Sequence, residues 1–261
     1  MNEYTITSWN DLQEKLFEDS WNPELGRYRS KFAFRGLSDA DFKLETTLIR
    51  LGGDYASLEN HLLRNFSKYA HQNVVEHDSI WHWLSVAQHH GLPTRLMDWT
   101  YSPYVAMHFA TEHLEQFDVD GVVWAVDYIE VNQNVPEVLK NELQKEGANV
   151  FTVKMLMEHV CTLKELDSLS KQDFVLFLEP PSIDDRFINQ FAFFSISSNP
   201  QLAMDEWLKK HPDSWMKIII PKELKWEIRD KLDQANITER VLFPGLDGLS
   251  QWLKRQYSPK G

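Results

Sequence analysis

The chain has 261 residues, 43% of them hydrophobic, with ten Trp, fifteen Phe and a single cysteine. That suffices for one domain with a sizeable core, and one cysteine excludes an intrachain disulfide framework. The 39 acidic residues outnumber 27 basic ones for a formal net charge of -12, which disfavours non-specific attachment to a phosphate backbone but leaves room for a local basic cleft.

The opening stretch from Met1 to Trp21 is polar and acidic and lacks an apolar signal core. No run is long and apolar enough to span a bilayer, so the expected setting is cytoplasmic with no membrane partner. Ser8 predicts the cap of a helix from Ser8 to Glu18, with Trp9, Leu12, Leu16 and Phe17 on one face. Tyr28 to Gly36 reads as a strand, in which alternation sets Phe32 and Phe34 on one side and Ala33 with Arg35 on the other. Leu58, Leu62, Phe66, Tyr69 and Ala70 mark a second helix, and Ile80 to His89 a third. Ser102 followed by Pro103 opens another, striped by Ala106, Phe109, Ala110 and Leu114.

The continuous apolar run Gly121 to Val126 predicts a strand buried on both faces. Helical patterning returns between Pro136 and Leu166. Phe174–Leu178, Phe191–Ile196 and Met216–Ile220 read as strands, and Pro221–Leu232 and Leu246–Tyr257 as helices. Trp81, Trp83, Trp207, Trp215 and Trp226 are expected in the core. No repeat, low-complexity tract or linker interrupts the chain. One domain over residues 1–261 is therefore expected, with a C-terminal helical part from about residue 200. Helices and strands alternate irregularly, which predicts an α+β fold with a mixed β-sheet core flanked by several helices.

Several chemistries lack their motifs. There is no Walker A loop, G-x-G-x-x-G, G-x-S-x-G or H-E-x-x-H pattern. Cys161 is expected to be a buried structural thiol, since His159 two residues earlier points to another side of a helix. Eight of the ten histidines fall between His61 and His113, but adjacent His89 and His90 diverge on a helix and no thiol or carboxylate completes a set, so no metal is expected.

Three polar groups stand out. The run from Trp83 to Pro103 leaves a helix, turns at Gly91 and reads as a connector bearing Thr94, Arg95, Asp98, Trp99, Thr100 and Tyr101. Buried polar groups at this density need partners. Either Arg95 and Asp98 lock the connector to the sheet, or the connector lines a cleft. Arg35 is a strand guanidinium followed by Gly36, suited to a phosphate or to a buried carboxylate such as Asp98. Arg186 and Gln190, four residues apart, share a face if their segment is helical.

Together these stretches resemble the FRG domain. The resemblance is carried by Phe34-Arg35-Gly36, the run Gln88-His-His-Gly-Leu-Pro-Thr-Arg-Leu-Met-Asp-Trp-Thr100, and Ser102-Pro103 with Ala106 and Phe109-Ala110. Arg186 to Gln190 and Leu242-Phe-Pro-Gly-Leu-Asp-Gly248 complete it. Met97 stands where leucine is usual and His90 where tyrosine is common. The motif order also resembles the ADP-ribosyltransferase fold. That likeness implies Arg35 with Gly36 on the phosphates of NAD as substrate, and Thr94 or Thr100 with Ser102 as the hydroxyl segment ahead of the helix. It further implies Gln88, His89, Arg95 and Trp99 along the binding cleft, with Trp99 or Tyr101 stacking on a ring.

The late position usually held by glutamate is Gln190 here, beside Arg186. An amide supplies no charge, so Asp98, Glu179, Asp184 or Asp185 is left to provide a carboxylate. Asp98, Arg186 and Gln190 are the candidate catalytic residues. The resemblance thus implies an ADP-ribosyltransferase or NAD glycohydrolase. Its partner would be a small nucleotide, with a protein or nucleic-acid acceptor, and by fold analogy its role a toxin or antiviral defence one. The alternatives are a non-catalytic nucleotide- or protein-recognition module, and hydrolysis of a nucleotide or nucleic acid. The Leu242–Leu249 segment reads as an anchoring turn.

Overall fold

A computed structural model describes residues 2–70, 79–181 and 184–259. In chain order the strands are β1 (Glu3–Thr5), β2 (Trp21–Asn22), β3 (Arg27–Tyr28), β4 (Phe32–Leu37), β5 (Leu96–Thr100), β6 (Gly121–Asp127), β7 (Phe151–Thr152), β8 (Val175–Glu179), β9 (Ala192–Ser197) and β10 (Trp215–Ile220). Strands β2 and β3 form a separate hairpin. The others build a mixed sheet in the order β1-β10-β6-β4-β5-β9-β8-β7, parallel only at its two outer pairs. The fold is α+β, as expected.

Local chemistry explains most element ends. Ser8 accepts from the Asp11 amide and starts helix Trp9–Phe17. Ser102 accepts from the Val105 amide ahead of Pro103 and starts helix Pro103–Ala110. Gly91 takes φ +78° just beyond helix Ile80–His89, a conformation that costs glycine nothing. Helices Tyr55–Ala70, Lys222–Gln234 and Leu246–Gln256 also form close to their expected positions.

One face of the sheet carries two apolar cores. Phe32, Phe34, Val123, Ala125, Ile218 and Ile220 pack under helices Trp9–Phe17, Pro103–Ala110 and Lys222–Gln234. Leu96, Phe194, Ile196, Leu176 and Leu178 pack under helices Ile80–His89 and Glu137–Glu146. The opposite face is one continuous core through Ala33, Trp124, Met97, Trp99, Phe193 and Phe177. Two helix sets on one face leave a division between them, and it falls between β4 and β5.

The structure corrects several expectations. The polar stretch between helices is no connector: Leu96–Thr100 is β5, an inner strand registered along β9. Its alternation is disguised because Asp98 and Thr100 occupy the face where Leu96 is apolar. The Tyr28–Gly36 strand is broken, with β3 belonging to the hairpin and β4 to the main sheet. Helix Pro103–Ala110 stops short of Leu114, which lies in a 3-10 turn. Cys161 is exposed, not buried. It precedes a capping box in which Glu165 receives the Cys161 and Thr162 amides, so it lies in a turn rather than within a helix. Strand β1 and helix Thr47–Leu51 were not foreseen. Trp81 and Trp207 are buried, while Trp83, Trp215 and Trp226 are half-buried. His71 and His77 lie outside the described residues. Among the described residues no helix is long and apolar enough to cross a membrane.

Candidate functional site

Strands β4 and β5 pair only at Phe34 and Thr100. An antiparallel ladder continued from there would match Gly36 with Asp98, but the strands part instead. The Arg35 guanidinium turns into that seam, and its Nη1 donates to the Asp98 carbonyl oxygen at 2.5 Å. Arg35 Nε is buried without a hydrogen-bond partner. Burial lowers the Arg35 pKa, partly offset by the nearby charge of Asp98.

Helix Pro103–Ala110 approaches the seam because residue 36 is glycine. A Cβ there would run into the Ala106 carbonyl oxygen and the Ala110 amide. Gly36 is thus required for close backbone approach rather than for a turn.

A cavity of about 180 Å³ opens at the seam, lined by Arg35, Gly36, Asp98, Thr100, Arg186 and Gln190 together with Phe34, Trp99, Phe109 and Ala192. One wall is the short helix Asp185–Gln190, capped by Asp184. Arg186 lies over the Phe243 ring at 4.9 Å. Among the described residues, neither Arg35 nor Arg186 has an ion-pair partner. Two unpaired guanidinium groups on one small cavity favour an anion there.

Asp98 is exposed, and its Oδ2 accepts from Gln88 Nε2 at 2.7 Å. The Gln88 Oε1 in turn accepts from the Thr94 hydroxyl at 2.6 Å. Thr94 is itself buried, so Gln88 and Thr94 stand behind the cavity instead of on it. Thr100 donates to the Gln190 carbonyl at 2.7 Å and accepts from the Ser102 amide at 3.0 Å. Its hydroxyl is therefore spent on joining strand, helix and loop.

Other expected site residues lie elsewhere or are committed. Arg95, immediately ahead of β5, is buried and bonded to Glu59 at 2.8 Å and to Asp167 at 2.5 Å. Arg95 thus ties the start of β5 to Glu59 and Asp167, while Asp98 turns to Gln88 instead of joining it. Trp99 is 2% exposed and donates to Ser195, and Tyr101 stacks on Phe193 at 4.0 Å while bonding Glu179. Neither ring is free to stack on a ligand. His89 bonds Asp184 at 2.7 Å and stacks on Phe187, fastening the short helix to helix Ile80–His89. Burial lowers its pKa against the pull of Asp184.

Gln190 reaches the cavity, but its amide donates to the Leu242 carbonyl at 3.0 Å, beside Asn189 donating to Val241 at 2.8 Å. The segment read as an anchoring turn therefore holds this wall in place. Phe243 beneath Arg186 and Phe109 at the mouth are contributions that sequence reasoning left unassigned. Only their place in the motifs Phe109-Ala110 and Leu242-Phe-Pro-Gly marked them.

Of the four candidate carboxylates, only Asp98 lines the cavity. Away from it, Glu142, Glu158 and His159 cluster with metal-ligand spacing. The Lys145 ammonium already bonds both glutamates.

No match to the chain is found among curated proteins or among solved structures. Residues 30–119 match the family model of the FRG domain; the Arg186–Gln190 wall and the Leu242–Gly248 segment lie beyond the match. The match takes in Arg35 on β4 and the whole of β5, so the seam lies inside the part of the chain that is similar to the FRG domain.

Proposed function

We propose that the protein binds NAD at the seam between β4 and β5 and acts on it as an ADP-ribosyltransferase or NAD glycohydrolase. The observation that carries this reading is the pair of guanidinium groups, Arg35 and Arg186, on one cavity with no carboxylate partner among the described residues. Both arginines are half-buried and lack a counter-ion among the described residues, and a pyrophosphate would supply one. At about 180 Å³ the cavity is smaller than sites that enclose a whole drug-sized ligand. It suits the phosphate–ribose portion of a nucleotide, with the remainder at the mouth. Asp98 on its rim provides the negative charge that an oxocarbenium-like transition state requires. A protein or nucleic-acid acceptor and a toxin or antiviral role belong to this reading by analogy with the ADP-ribosyltransferase fold.

A second reading has its own support. With the Gln190 amide tied to Leu242, the late position contributes no charge, which suits a recognition module that holds a nucleotide without cleaving it.

Incubating the purified protein with NAD, and following free nicotinamide beside calorimetric binding, separates these outcomes. Release that Arg35→Met abolishes supports the enzyme. Saturable binding without release supports the recognition module. Absence of both removes NAD from the account.

A further inference from the structure

The carboxylate on the cavity rim is the end of a relay. The Leu96 amide donates to Thr94 Oγ1 at 3.1 Å, so the Thr94 hydroxyl hydrogen is free to point elsewhere. It points at Gln88 Oε1, 2.6 Å away. That contact fixes the orientation of the Gln88 amide, since the reverse orientation would set its oxygen against the carboxylate. Its Nε2 then faces Asp98 Oδ2 at 2.7 Å. Thr94 is 1% exposed, and its own amide is held by Thr47 at 3.1 Å. The relay is anchored in the core and delivers a single N–H to one oxygen of Asp98. The other oxygen, Oδ1, has no hydrogen bond among the described residues.

The same residue receives Arg35 on its main chain. A phosphate held by Arg35 and a reacting centre near Asp98 Oδ1 would keep a separation set by one residue's own geometry. Such fixed placement is what an orienting shell supplies to a reaction.

We propose that Asp98 is the catalytic carboxylate, taking the proton of an attacking water at the ribose, and that Gln88 and Thr94 are positioning residues that act through it. This rests on the NAD reading above. In the step, the bond between ribose C1′ and the nicotinamide nitrogen breaks, and its electron pair leaves with nicotinamide. The water oxygen bonds to C1′, and one water proton passes to Asp98 Oδ1 and then to solvent. The products are ADP-ribose, nicotinamide and a proton. Gln190 takes no part in it.

The test compares nicotinamide release and calorimetric NAD binding in the wild type, Asp98→Asn, Thr94→Val and Thr94→Ser, with thermal melts to establish folding. Asp98→Asn is expected to bind NAD as the wild type does and to lose about a hundredfold or more in kcat. Thr94→Val is expected to lower kcat about tenfold at unchanged KM, by the kind of loss seen when a supporting partner is removed, and Thr94→Ser to restore it. Release retained in Asp98→Asn, or a Thr94→Ser as impaired as Thr94→Val, overturns the assignment. Binding by the wild type without any release overturns it too, leaving NAD as ligand. No saturable binding removes the NAD reading and the assignment together.

Discussion

Arg35 and Asp98 join β4 to β5 where the sheet itself does not: a guanidinium N–H reaches the Asp98 carbonyl at 2.5 Å, just past the last registered pair of the two strands. A side chain thus replaces a ladder bond. The replacement leaves a cavity at the seam and a cation facing it.

Placing that cation there costs stability. Arg35 is half-buried, with a buried and unpartnered Nε and no ion pair among the described residues. Replacing such a group by an apolar one of similar length is often neutral or stabilising. Arg35→Met is therefore expected to keep or raise the melting temperature. It should weaken NAD binding roughly ten- to hundredfold, the scale of one charge-assisted contact. A large fall in melting temperature would show that Arg35 is structural.

Arg95 should behave in the opposite way. Its guanidinium is buried against Glu59, itself 2% exposed, and against Asp167. Arg95→Met leaves a buried carboxylate unpaired, at a cost of about 3–5 kcal/mol. Chemical denaturation should show that loss, while the folded fraction still binds NAD. An unchanged denaturation midpoint would contradict the pairing.

His108 predicts acid sensitivity. It is fully buried and accepts from Arg229 at Nδ1, 2.7 Å away. Burial, assisted by the Arg229 charge, lowers its pKa from 6.5 to about 3. A folded-state value below the unfolded one means that the unfolded chain binds the proton first. The contribution is therefore whole above pH 6.5 and is lost as pH falls toward 3, by at most about 1.4 kcal/mol per pH unit. Glu239 adds a second loss: burial opposes its charge, but the Arg255 hydrogen bond prevails and holds its pKa at about 2. That contribution is present above pH 4.5 and lost as pH falls toward 2. Urea midpoints between pH 7.5 and 4.5 should fall in the wild type and stay flatter in His108→Gln. Equal slopes in the two proteins would exclude His108 as the source.

Gln190 and Asn189 should act as a pair of tethers. Each donates one bond to a carbonyl of the C-terminal segment, worth about 1 kcal/mol. Gln190→Ala and Asn189→Ala are expected to lower the denaturation midpoint alike, and to weaken NAD binding alike by loosening the helix that carries Arg186. If Gln190→Ala alone abolished nicotinamide release, the glutamine would have a direct part in the chemistry.

Much of the fold is legible because its signals are short-range. Ser8, Ser102 and Gly91 mark helix ends through bonds and backbone angles within a few residues. The Gly121–Val126 run declares a buried strand by its apolarity alone. Strand β5 escaped such reading because Asp98 and Thr100 interrupt the pattern, for reasons visible only once Gln88 and Gln190 lie beside them.

The residue types of the site, most of the helices and strands, and the motifs around Arg35, Gln88 to Ser102 and Arg186 to Gln190 are legible from local sequence alone. Tertiary structure decided their roles. Arg35 and Arg95 are both arginines in strand-adjacent motifs. One is paired by Glu59, 36 residues away, and the other by no carboxylate among the described residues. Gln190 is turned into a tether by Leu242, 52 residues on. Capping and periodicity act between near neighbours and are written in the local sequence. Ion pairing and the parting of β4 from β5 depend on which distant segments the packing brings together.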